Sequence, residues 1–245
     1  MESVFLQNQA VKAFLLYLIQ YGNGLLVQYK GVRVNYTRKI NHFALFFIPM
    51  YLDRVFALEN SLELFVFGSF LAISTLAIYV KPVRDRVPFI ATMFGSFDRP
   101  EDRPRTLLWL STQITAGFLI VIPMVILFAR WGLLDLILIP ILINGIGDGL
   151  AEPVGVRFGK HTYEAYALFT DKRYVRSLEG SACVFITSIL VVAFHYACFS
   201  QPQFIAAIIA VPILMTLGEA FAPHTWDTPF LFFIGYMSLF FIALI

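Results

Sequence analysis

The sequence predicts an all-α protein: a multi-pass transmembrane helical bundle with seven or eight spans. Three observations carry this. The 245 residues are 59% hydrophobic and only 14% charged, with a mean hydropathy of +0.76, whereas water-soluble domains carry about 25% charged residues. Several apolar stretches reach the roughly 20 residues that cross a bilayer as a helix. Basic residues segregate into alternate gaps between those stretches, the pattern that sets membrane orientation.

The first apolar stretch, 13–27, holds Gln20, Gly22, Asn23 and Gly24. It reads either as a short first span or as an interfacial helix. The second, 40–58, is interrupted by Pro49 and by Asp53-Arg54, the charged pair falling near its far end. Residues 62–80 form a clear span, and 81–105 a long polar loop rich in Pro, Arg and Asp. Residues 106–128 and 133–150 are clear spans, the latter running straight into a glycine–aspartate stretch. The stretches 180–199, 203–218 and 226–245 complete the set. No internal repeat, low-complexity tract or soluble domain interrupts it, so 1–245 reads as one integral membrane domain. The N-terminus lacks a basic region and a small-residue cleavage site, so no cleaved signal peptide is expected. Cys183 and Cys198 fall toward opposite ends of one apolar segment, too far apart along a helix to bridge.

Loop charge predicts sidedness. The gaps at 28–41, 81–105 and 155–179 hold fifteen of the 18 Lys and Arg residues; Lys12, Arg54 and Arg130 lie on the other side. The three basic gaps, and 219–226 with them, are therefore expected in the cytoplasm, or in the stroma if the membrane is organellar. Every unusual polar cluster then falls on that face.

The richest cluster runs from Asn144 to Ser181. Gly145, Gly147 and Gly149 alternate around Asp148, and Glu152 follows four positions on. On a helix both carboxylates share one face, a turn apart. Two carboxylates completed by substrate phosphates are a usual way to hold Mg²⁺. Pro153 weakens that geometry, because the residue before a proline is biased away from helix. The competing structural reading gives the glycines to tight helix packing and Asp148 to a helix cap. Yet an aspartate among glycines costs helix stability and membrane insertion.

Gly155–Lys160 fails the P-loop pattern, which needs four residues between glycines and a Ser or Thr after the lysine; His161 stands there instead. Backbone N–H groups and Lys160 could still cradle a phosphate. Glu179-Gly180-Ser181 opens a span, and a helix N-terminus favours anions; Arg176 and Ser177 stand beside it. Lys172 and Arg173 fit better as contacts to lipid head groups. Arg38 and Lys39 are candidate phosphate contacts, with snorkelling as the alternative, and His42 is a candidate acid–base group. Glu219 and Asp227 have no cationic sequence neighbours, which makes them candidates for metal, base or nucleoside contacts.

Together these residues resemble a known family. Gly147-Asp148-Gly149-Leu150-Ala151-Glu152, Val154-Gly155, Phe158-Gly159-Lys160 and the Arg-Ser-x-Glu-Gly-Ser motif at 176–181 are similar to the phytol kinase and dolichol kinase family. The Arg-Lys-x-x-His motif at 38–42 and Glu219, followed by a proline and Asp227, extend the resemblance to about residue 229. Glu152 stands where the family has aspartate, Arg176 where it has lysine, and Thr228 where it has asparagine. The resemblance implies an integral membrane enzyme that phosphorylates a long-chain isoprenoid alcohol with CTP. It implies Mg²⁺ on Asp148 and Glu152. Arg38, Lys39, Gly147, Gly149, Lys160, Arg176, Glu179, Gly180 and Ser181 are then expected around the nucleotide phosphates. Asp227, Glu219 or His42 would orient or deprotonate the alcohol. The expected partners are membrane lipids, the lipid alcohol and a nucleotide, with no nucleic acid. The related phosphatidate cytidylyltransferases share the broad plan, and a CTP:lipid-phosphate nucleotidyltransferase is the alternative. Their denser C-terminal Lys/Arg/Asp signature is absent here. An ion-coupled transporter should show paired broken segments in two halves; only one glycine-rich break is present, with its carboxylates expected at a span's end.

Overall fold

The computed structural model describes residues 2–58 and 61–245. The chain divides into two compact units, Met1–Ser111 and Thr112–Ile245. Among the described residues, five helical stretches are long and apolar enough to cross a membrane: Ser3–Lys30, Leu62–Tyr79, Thr106–Arg130, Leu134–Phe158 and Gln201–Phe221. Two shorter apolar helices, Leu178–Phe194 and Asp227–Ala243, accompany them.

The first unit contains α1 (Glu2–Lys30), α2 (Val34–Val55), α3 (Leu62–Ser74), α4 (Lys81–Arg84) and α5 (Pro88–Gly95), and α6 (Thr106–Arg130) begins in it. The polar residues of α1 do not end the helix. Asn23 donates to Asn41 of α2 at 2.7 Å, and Asn41 donates to Ser96 at 2.7 Å. Gln20 accepts from the Tyr79 hydroxyl. Buried amides persist when each finds a partner. At Gly24 an added Cβ would lie 2.0 Å from the Thr92 carbonyl oxygen, so only glycine lets α5 approach α1 here. The segment 81–105, expected as a loop, is largely folded: Met93, Phe94, Phe97 and Tyr79 make a buried aromatic core.

The second unit holds the rest of α6, then α7 (Leu138–Leu142), a π-helical turn (Ile143–Asp148), α8 (Gly149–Phe158), a hairpin of β1 (Thr162–Ala167) and β2 (Thr170–Ser177), α9 (Leu178–Phe194), α10 (Gln201–Phe221) and α11 (Asp227–Ala243). Two differences from the sequence reading stand out. The glycine–aspartate stretch does not end its helix. It passes through the π turn and across Pro153 to Phe158, so Asp148 and Glu152 lie within an apolar stretch rather than at its end. A π turn shifts the backbone ladder by one residue and commonly marks a functional position. The basic loop between α8 and α9 is also not irregular but an antiparallel hairpin with Tyr163 opposite Arg176 and Ala165 opposite Tyr174. Its inward face carries Ala165, Ala167 and Tyr174, all buried. The signal was the alternation of Tyr163, Ala165 and Ala167 with polar or exposed neighbours, a period of two.

Packing of the second unit centres on α9 and α10. Gly147 presents a bare backbone to α9, where an added Cβ would sit 3.0 Å from the Val184 Cα. Gly235 of α11 does the same against Pro140 of α7. Fully buried Val184, Val211, Met215 and Leu231 fill the space between these helices, with burial of each such side chain worth about 1.5–3 kcal/mol.

Candidate active site

The hairpin turns Arg176 inward. Its Nη1 donates to the main-chain carbonyl of Glu219 and to Glu219 Oε1, the latter at 3.1 Å. Its Nη2 faces Asp227 Oδ2 at 3.8 Å. Ser181, in the first turn of α9, donates to Glu219 Oε2 at 2.8 Å. The Tyr163 hydroxyl lies 2.7 Å from Ser181 Oγ. Since Ser181 gives its proton to Glu219, Tyr163 is the donor in that pair. A relay of hydrogen bonds therefore runs Tyr163 to Ser181 to Glu219, with Arg176 closing its far side. Asp148 lies near enough for its charge to act on Glu219. Asp148, Ser181, Glu219 and Asp227 are all buried.

Electrostatics keep Arg176 charged. Burial works against the Arg176 cation, but the carboxylates of Asp227 and Glu219 more than offset it and hold the guanidinium above its ordinary pKa. Burial, together with the Glu219 charge, pushes the Tyr163 phenol up, so it stays protonated and able to donate.

The two carboxylates differ. Both oxygens of Glu219 are engaged, one by Arg176 and one by Ser181. Asp227 makes no side-chain hydrogen bond among the described residues and has only the 3.8 Å approach of Arg176. Glu219 thus orients Arg176, while Asp227 retains acceptor capacity toward a ligand. The 222–226 segment between them is strained. Thr225 is buried at a φ of 67°, and its hydroxyl has no hydrogen-bond partner among the described residues. A β-branched residue there is a steric outlier, and such strain collects at ligand sites. The segment is pinned by His224, whose N–H donates to the Tyr166 carbonyl at 2.7 Å and whose ring stacks on Tyr174 at 3.6 Å.

Other expected site residues have structural duties. Ser177 caps α9 by accepting from the Gly180 N–H at 3.1 Å. That corrects the expectation of an anion contact at this N–H, because the cap already satisfies it. A Cβ at Gly180 would fall 2.7 Å from the Ala151 carbonyl oxygen, so Gly180 is also needed for the α8–α9 approach. Glu179 accepts from His161 Nδ1 at 2.8 Å and from the His161 N–H, tying the start of the hairpin to α9. Gly147 serves packing, and Gly149 is buried where α8 begins. Lys160 is exposed beyond α8, and Lys172 and Arg173 are exposed on β2.

Asp148 and Glu152 remain helical neighbours one turn apart, despite Pro153. Among the described residues no three His, Cys, Asp or Glu side chains group to hold a metal. The donor set still fits Mg²⁺, which takes one or two carboxylates and completes its shell with water and phosphate oxygens. Arg38, Lys39 and His42 belong to α2 in the first unit. Lys39 is 3% exposed, which is not the environment of a snorkelling cation. His42 packs on Phe46 with ring centroids 4.7 Å apart.

No family model, no curated protein and no solved structure matches this chain. The functional reading rests on the residues, their geometry and the motif resemblance. Tyr163 and Thr225 join the site although the sequence did not single them out. Tyr163 is marked only by the strand register that sets it opposite Arg176, and nothing local marks Thr225.

Proposed function

We propose that this protein is a membrane lipid-alcohol kinase that transfers the γ-phosphoryl group of CTP to a long-chain isoprenoid alcohol. Convergence carries the reading: residues 148, 163, 176, 181, 219 and 227, scattered over eighty positions of sequence, supply one buried ionic cluster in the second unit. Phosphoryl transfer needs positioning and charge neutralisation more than covalent chemistry, and this cluster offers both. Arg176, oriented by Glu219, presents its remaining N–H donors to a phosphate. Asp227, with acceptor capacity in hand, takes the proton of the attacking hydroxyl and aims its oxygen in line. Ser181 and Tyr163 fix Glu219 and so fix Arg176. Asp148 and Glu152 would hold Mg²⁺, which when bound neutralises developing charge on the phosphates. Lys160 is a further candidate phosphate contact. CTP as donor comes from the family resemblance.

The reading includes eight spans, α2 together with the five long and the two shorter apolar helices, with the hairpin on the cytoplasmic or stromal face, following the charge segregation. The resemblance also admits a cytidylyltransferase acting on a lipid phosphate. Product analysis with γ-labelled CTP separates the two, because the kinase puts label on lipid and the cytidylyltransferase releases it in pyrophosphate.

A further inference from the structure

Helices α10 and α11 leave an apolar groove between them. It consists of two concavities, about 310 Å³ and 410 Å³, that share Leu214 and Ile234. The first reaches Phe221 and Phe230, and the second runs on to Ala210 and Phe241. From Phe221 to Ala210 the rise along α10 is about 16 Å. The lining is almost wholly hydrocarbon. Its one hydroxyl, Ser238, is turned back onto the Ile234 carbonyl at 2.6 Å.

A charged pair lies one helical turn beyond one end of the groove. On α11 its lining recurs at Phe230, Ile234, Met237 and Phe241, a helical stripe of spacing three and four. Extended one turn toward the N-terminus, that stripe meets Asp227, which faces Arg176 at 3.8 Å. The floor at this end is Gly218, where an added Cβ would lie 2.6 Å from Ile234 Cδ1. An apolar groove with a carboxylate and a guanidinium one helical turn beyond one end suits a single-chain amphiphile. A featureless lipid-facing surface would have no such end.

We infer that this groove is the binding site for the hydrocarbon chain of a long-chain alcohol, with the alcohol's hydroxyl at Asp227 and the chain running along Ile234 toward Phe241. The inference rests on the kinase reading for the hydroxyl head and on the groove itself for the chain. Entry is sideways, from the bilayer, because Leu217, Phe233 and Phe241 on its rim are exposed.

The test is photolabelling without nucleotide. The full-length protein in phosphatidylcholine nanodiscs is irradiated with an isoprenoid alcohol carrying a diazirine on its distal isoprene unit, and the labelled peptides are mapped. Label is expected to concentrate on the α10 and α11 segments. Unlabelled isoprenoid alcohol should compete at least about tenfold better than the matching hydrocarbon, a difference of about 1.4 kcal/mol. Leu214→Trp, which fills the shared part of the groove from its exposed side, should cut that labelling at least about fivefold, about 1 kcal/mol. Leu190→Trp, on an exposed face of α9, should leave it unchanged. Label spread over α3, α6 and α9 in proportion to exposure would overturn the inference, as would equal competition by the hydrocarbon. An inactive protein that labels as expected would keep the groove and remove the kinase reading. An active kinase labelled elsewhere would do the reverse.

Discussion

Arg176 and Asp227 face one another at 3.8 Å, close enough for strong Coulomb attraction and too far for a hydrogen bond. Glu219, by contrast, grips the same guanidinium through both its carboxylate and its backbone. One cation thus has a structural partner and a working partner. The predictions below follow from that division.

Replacing the two carboxylates by amides should separate stability from turnover. Glu219→Gln leaves a buried guanidinium beside a neutral amide and should cost roughly 3 kcal/mol of stability. Asp227→Asn breaks no side-chain hydrogen bond and should cost less stability than Glu219→Gln, yet lower kcat by about 10²- to 10⁴-fold. Thermal unfolding in one detergent, paired with kinetics, checks both. Equal stability loss in the two variants would show that the roles are not divided this way.

Three basic residues of β2 should differ in kind. Lys172 and Arg173 are exposed, so each alanine variant should lose less than about tenfold in kcat/KM, or 1.4 kcal/mol. The Arg176 side chain is only 11% exposed. Arg176→Ala should lose at least about 100-fold, or 2.7 kcal/mol. Arg176→Lys keeps the charge but loses the fork and should fall between them. Similar small losses at all three positions would assign the hairpin's charge to membrane orientation alone.

The relay from Tyr163 to Ser181 can be isolated by a double-mutant cycle. Tyr163→Phe and Ser181→Ala should each cost about 1 kcal/mol. Their combination should cost less than the sum, by roughly 0.5–1 kcal/mol, because they share one hydrogen bond. Strict additivity would mean that the 2.7 Å contact carries no energy.

The apolar helices were legible because composition alone marks them. Helix α1 begins eleven residues ahead of the expected stretch 13–27, and α10 extends two residues before and three beyond 203–218, since backbone groups in lipid must find helical partners even where polar residues such as Gln201 occur. The hairpin was less legible. Its inward positions, Ala165 and Ala167, are small, and the cations around them read as loop. The helix through Pro153 was misjudged for a definite reason. The bias on the residue before proline is a preference, and α2, α6 and α10 also run through an internal proline. Asp148, Glu152, Arg176, Glu219 and Asp227 were all visible as unusual charges in apolar company. The division between Glu219 and Asp227 was not, because it depends on Ser181 and on a strand register that no local spacing encodes.

Sidedness follows from the basic gaps. Single cysteines placed at exposed Lys172 and at exposed Arg86, each in a background lacking Cys183 and Cys198, should react with an impermeant maleimide from the same face of sealed vesicles. Reaction from opposite faces would end the one-face arrangement.

Asp148→Asn keeps the shape of its buried side chain and removes its charge. The variant should insert and fold yet lose activity by orders of magnitude if Asp148 helps to hold the phosphate-bound cation. Near-normal turnover at normal expression would falsify that role.

The central claim is the direction of phosphoryl transfer, and one measurement addresses it most directly. Purified protein in lipid is given CTP labelled at the γ-phosphate, Mg²⁺ and a panel of long-chain isoprenoid alcohols, and products are separated into organic and aqueous phases. Label is expected in the organic phase as a lipid monophosphate, with CDP released in equal amount, and both should vanish in Asp227→Asn. Label recovered as pyrophosphate with a lipid phosphate as co-substrate, or no lipid-dependent turnover of CTP in protein that is folded and inserted, would contradict the account.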